Sequence, residues 1–84
     1  MDEAFAALRR EKNNSVDNLI KWMKNSKVID ESKEAEEKAR KLFKDVKDVK
    51  DVELNKFKQA VSKLAEEQKK SVEEFSRMLS IEGL

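Results

Sequence analysis

Residues 55–65 read Asn-Lys-Phe-Lys-Gln-Ala-Val-Ser-Lys-Leu-Ala, and their spacing decides the fold class. Phe57, Ala60, Val61, Leu64 and Ala65 recur at intervals of three and four, which gathers them on one stripe of an α-helix. Asn55 is a suitable N-cap, so the spacing predicts a helix that opens there. No breaker interrupts it: the chain has no Pro, and its single Gly is Gly83.

The same periodicity extends toward the N-terminus. Asp2 is an expected N-cap for a short helix carrying Ala4, Phe5, Ala7 and Leu8, and Asn13-Asn14 ends it in a turn. Ser15 is expected to cap a second helix, with Val16, Leu19, Ile20 and Met23 as its apolar stripe and Trp22 at the stripe's edge. Asn25-Ser26-Lys27 breaks that helix before Val28 and Ile29, whose β-branched side chains suit a very short strand. A third helix begins within Asp30 to Ser32 and turns Ala35, Ala39, Leu42, Phe43 and Val46 inward. Its outer face offers three i, i+4 pairs: Glu34 with Lys38, Glu36 with Arg40, and Glu37 with Lys41.

Lys-Asp-Val is written three times between Lys44 and Val52. A period of three suits neither a helix nor a strand, so this segment is read as a helix end, a loop and a short extended stretch. After the fourth helix, Ser71-Val72-Glu73-Glu74 has the form of a capping box, placing a break at Lys69 to Ser71 and a fifth helix beyond it. Phe57 and Phe75 lie five whole turns apart, so one continuous helix is the competing reading.

The fold class expected is therefore all-α: an EF-hand-like pair of helix–loop–helix units, with four to five helices and at most a tiny two-stranded ribbon joining the loops. Calcium geometry fails in the second loop. If the twelve positions run from Asp45 to Lys56, the third, fifth, sixth and twelfth are Lys47, Val49, Lys50 and Lys56, where calcium needs oxygen ligands, a Gly and a bidentate Glu.

Composition narrows function further. Eighty-four residues form a single domain, 1–84, and 44% of them are charged, yet the formal net charge is only +1. Residues 1–42 carry ten basic and nine acidic groups, and residues 43–84 carry nine of each, so neither half is a polyanion-binding arm. Nucleic acid is not an expected partner. The absence of Cys and His removes disulfides, thiolate metal sites and the usual acid/base agents, so no metal or cofactor is expected. The longest apolar run, Ala4 to Leu8, is far too short for a membrane span or a signal segment. Adjacent carboxylates such as Glu36-Glu37 and Glu66-Glu67 diverge on a helix and do not form a catalytic pair.

Three segments carry a family resemblance: Asn18 to Asp30 (Asn-Leu-Ile-Lys-Trp-Met-Lys-Asn-Ser-Lys-Val-Ile-Asp), Leu42 to Lys47, and Phe57 to Ala65. They resemble the core domain of the tubulin polymerization-promoting protein family, over Phe5 to Leu79. The resemblance implies an EF-hand-like helical fold, a cytoplasmic location and association with tubulin and microtubules, without ordinary calcium loops. It also implies departures. The family's usual Trp position falls on Leu19, its cysteine positions fall on Met23 and Ser26, and the turn before Val52 is shorter and lacks a Gly. Zinc binding suggested for vertebrate members has no soft ligands here, and the long disordered tails of those members are expected to be absent.

The expected function is a non-enzymatic tubulin- or microtubule-binding module, acting as a monomer or weak dimer. Lys21, Trp22, Lys24 and Lys27 are the expected contact residues, with charge steering toward acidic tubulin tails and Trp22 adding apolar contact. Trp22 has a competing reading as core, and the lysines one as a solvated face. Two alternatives use the same apolar stripes: a carrier enclosing a hydrophobic ligand among Leu19, Met23, Phe43, Phe57 and Phe75, or a dimer sharing Met1, Phe5 and Met78. A generic protein-interaction domain is the broadest form of the first reading.

Overall fold

A computed structural model describes residues 1–79; Gly83 and the rest of 80–84 lie outside the described residues. The described chain folds into α1 (Asp2–Arg10), α2 (Val16–Asn25), α3 (Lys33–Leu42), α4 (Leu54–Glu67) and α5 (Val72–Met78). No strand occurs among the described residues. The radius of gyration, 11.4 Å, is close to the ~12 Å of a compact domain of this length, so the helices share one core.

Local chemistry fixes most helix starts. The Ser15, Ser32 and Ser71 hydroxyls accept hydrogen bonds from the N–H groups of Asn18, Ala35 and Glu74 at 3.2, 3.2 and 3.1 Å. Each satisfies a donor that has no partner within its helix. Two expected caps are displaced. The N-cap of α1 is Met1, because the Asp2 carboxylate instead reaches Lys58 at 3.2 Å. The N-cap of α4 is Glu53: Leu54 packs against the core and Phe57 N–H bonds the Glu53 carbonyl, so the helix opens before Asn55.

The helix ends are built from lysine. Lys12, Lys27 and Lys69 have φ of 59°, 64° and 57°, the left-handed region usually given to Gly. Behind them, the N–H groups of Asn13, Val28 and Lys70 bond the carbonyls of Leu8, Met23 and Ala65 at 2.8, 3.0 and 2.8 Å. The N–H groups of Lys12, Lys27 and Lys69 bond the carbonyls of Arg9, Lys24 and Glu66, each at 3.1 Å. These paired bonds are Schellman motifs, closed without glycine. The third of them separates α4 from α5, so the two are distinct helices.

Phe57 stands at the centre of the core. Its ring stacks with Phe5 and Trp22 at 5.3 Å between centroids and with Phe43 at 6.4 Å, joining α1, α2 and the end of α3 to α4. The expected stripe of α4 is entirely buried, as are Phe75 and Leu79 around α5. Phe5 is enclosed within a single chain and needs no second copy to cover it.

The loops meet, but not where the β-branched residues suggest. Val28 and Ile29 form no strand; they are buried in a turn, and the Val28 carbonyl accepts from Gln68 Nε2 at 3.3 Å. The contact lies instead between the α1–α2 turn and the Lys-Asp-Val segment. Val16 N–H donates to the Val49 carbonyl at 2.8 Å, and Val52 N–H donates to the Asn14 carbonyl at 3.0 Å. Asn14, buried to 2% exposure, completes the clamp: its Nδ2 donates to the Val52 carbonyl and to Asp51 Oδ1, both at 2.9 Å. The side-chain amide thus takes the place that a strand's backbone donor would fill.

Candidate partner-binding surface

The expected contact residues occupy three different environments. Trp22 is only 2% exposed and stacks on Phe57, so it belongs to the core. An apolar anchor must be reachable, and this ring is not. Lys24 turns across to α3 and pairs with Glu36 at 3.1 Å. Lys21 and Lys27 are exposed, and Lys27 owes its position to the left-handed end of α2.

Lys24 is part of a charge network that seals α2 to α3. Arg40 contacts Asp17 at 2.7 Å and Glu36 at 3.3 Å, while Glu36 also holds Lys24. The Lys24 ammonium, followed by the Arg40 guanidinium, holds the Glu36 carboxyl below its usual range. Asp17, and then Glu36, raise Arg40 further above its ordinary value. Two cations here face two carboxylates, so this seam presents little net charge. Of the three i, i+4 pairs expected along α3, Glu36 with Arg40 is the one at ion-pair distance.

The opposite side of α3 differs. Lys38 and Lys41 leave Glu34 and Glu37 and line an open groove between α3 and α4, where they are joined by Lys44 and by Lys63 from α4. The hollow has a volume of about 490 Å³, with the half-buried Leu42 on its wall and Asp45 and Glu67 as its carboxylates. None of the four lysines forms an ion pair with a described residue. A second hollow of about 260 Å³ shares Lys38 and Glu67 with the first, is walled by Ile29, Ala35 and Leu64, and adds the carboxylates of Asp30 and Glu34. The two form one trough along α3. A local signal for it exists in the sequence: Lys38, Lys41 and Lys44 recur at intervals of three, enough to keep successive side chains on neighbouring faces of a helix end. Lys63 has no such signal, because only the packing of α4 brings it there.

Leu19, Met23, Phe43, Phe57 and Phe75 are all buried and belong to one continuous cluster. Among the described residues no three acidic side chains converge as a metal site, and no helix is long and apolar enough to cross a membrane.

Against this architecture, residues 3–83 match the p25-alpha family. The chain belongs to the p25-alpha family, that of the tubulin polymerization-promoting proteins. No curated protein and no solved structure gives a significant match. Membership gives physical meaning to two positions of the p25-alpha chain. Leu19, where the family resemblance places a Trp, is fully buried in the stripe of α2. Ser26, where it places a Cys, has its hydroxyl oxygen buried with no hydrogen-bond partner. A thiol loses far less than a hydroxyl in such a place.

Proposed function

We propose that this p25-alpha chain is a non-enzymatic module that binds tubulin or microtubules in the cytoplasm, working as a monomer. Family membership carries the reading. The binding force is electrostatic: lysines not committed to internal ion pairs approach the acidic tails of tubulin, and a nearly neutral chain does so through a local excess of positive charge. Lys21 and Lys27 provide one such exposed pair beside α2. Lys24 contributes less, because binding elsewhere requires it to leave Glu36. Enclosure of Phe5 within one chain supports the monomer.

Co-sedimentation with polymerised tubulin across a salt series tests the reading. The protein should pellet with microtubules at low ionic strength and be released as the screening length shrinks toward about 8 Å near physiological salt. A protein that stays in the supernatant even at low salt is not a microtubule-binding module.

A further inference from the structure

We propose that the lysine-lined hollow between α3 and α4 binds a carboxylate-rich stretch of an extended peptide, and that it, more than the lysines of α2, is where an acidic partner docks. The inference rests on the reading of the chain as a module for an acidic partner and assigns that activity a place.

Charge separates this trough from the rest of α3. Four lysines meet two carboxylates in the first hollow, and none of the four is held by an ion pair with a described residue. Lys41 and Lys44 lie beside the negative end of α3, where cations are favoured for helix stability alone. That explanation does not reach Lys38, a turn earlier, or Lys63, in the middle of α4. Two helices converge on one lysine cluster, and with only Asp45 and Glu67 in its hollow the cluster keeps an excess of positive charge.

Shape and composition select a peptide. The basic hollow leads, through the shared Lys38 and Glu67, to the second one, where Asp30, Glu34 and Glu67 face Lys38 alone, so a bound chain lays its carboxylates in the first hollow and uncharged residues in the second. Leu42 in the first hollow and Ala35 and Leu64 in the second offer apolar contact to side chains that flank the carboxylates. Asp45 and Glu67 oppose a uniformly charged phosphate backbone, and no aromatic ring lines either hollow to stack a base. The carboxylates of a peptide can be confined to the lysine end, away from these two and from Asp30 and Glu34 of the second hollow.

The test is a titration of isotope-labelled full-length protein with a ten-residue glutamate-rich peptide at low salt, followed by backbone NMR shifts. Saturable shifts should cluster at Lys38 to Asp45 and Lys63 to Glu67. The double reversal Lys41→Glu with Lys63→Glu should weaken the peptide by about tenfold or more, and by more than Lys21→Glu with Lys27→Glu does. Far-ultraviolet circular dichroism checks that each variant is helical; if the reversal fails to fold, Lys41→Gln with Lys63→Gln should give a smaller loss in the same direction. Shifts centred on Lys21 to Lys27, shifts scattered over all surface lysines, or equal binding of a single-stranded oligonucleotide at the same residues would each overturn the proposal. Microtubule pelleting without groove shifts overturns this site and leaves the tubulin reading intact. Groove binding without pelleting supports the site and removes tubulin as the partner.

Discussion

The two sides of α3 are built from the same residue types and do opposite things. Toward α2, Lys24 and Arg40 are matched by Glu36 and Asp17 across short contacts, and charge is spent on joining helices. Toward α4, Lys38, Lys41, Lys44 and Lys63 surround a hollow of about 490 Å³ with no ion pair among the described residues. A 44% charged composition therefore says little about where charge is available. What matters is which cations the packing has already neutralised.

Both sides rest on Phe57, so its removal should affect them together and most severely. Phe57 is fully buried and stacks on three rings, and Phe57→Ala should destabilise the fold by about 3–5 kcal/mol in chemical denaturation. A loss below about 1 kcal/mol is the scale of surface substitutions and would mean that this ring does not hold the helices together.

Asn14 distinguishes the sides. It clamps the segment that leads from the groove end of α3 into α4, and Asn14→Ala strands the Val52 carbonyl and Asp51. We expect a loss of about 1–3 kcal/mol, with amide exchange rising first between Lys44 and Val52 and the α2–α3 seam little changed. Uniform acceleration through α2 and α3 would show that the two sides are not separable.

Lysine in the left-handed region should be improvable at either side. Lys27→Gly at the end of α2 and Lys69→Gly at the end of α4 relieve a Cβ clash and should each raise stability by about 0.5–1 kcal/mol in urea melts. Lower stability in both would show that the lysine side chains contribute more at those ends than the backbone costs.

The smallest effect should come from pH, on the seam alone. Glu36 has its carboxyl pKa lowered on folding, chiefly by Lys24 and then by Arg40, so its contribution is complete above the ordinary value of 4.5. That contribution disappears as pH falls through the lower folded value. Glu36→Gln should flatten a slight acid-side loss of stability; an unchanged acid profile would remove the seam's electrostatic role. Because the carboxylate is solvent-screened, the change should be minor beside that of Asn14→Ala.

What the sequence disclosed, and what it withheld, follows the distance between interacting residues. The stripes of α2 and α4, the caps Ser15 and Ser71 and the break before α5 were legible, since each depends on periodicity or near neighbours. The Asn14 clamp spans 37 and 38 residues, so a residue readable only as part of a turn became a buried link. The three lysine-closed helix ends were hidden because their usual marker is glycine. At the candidate site, exposure of Lys21 and Lys27 agrees with a solvent-facing role. Burial of Trp22 and engagement of Lys24 came from Phe57 and Glu36, partners on other helices. The α3–α4 groove is hidden for the same reason: helical spacing pairs Lys38 and Lys41 with glutamates one turn away, and Lys63 joins them only through packing.

The most direct test compares pelleting with intact microtubules and with microtubules whose acidic tails have been removed by limited proteolysis, at one low salt concentration. The account predicts that wild-type protein pellets with intact microtubules, is largely lost from trimmed ones, and that Lys41→Glu with Lys63→Glu reduces the first without affecting helicity. Equal pelleting with intact and trimmed microtubules, or none with either, would contradict it.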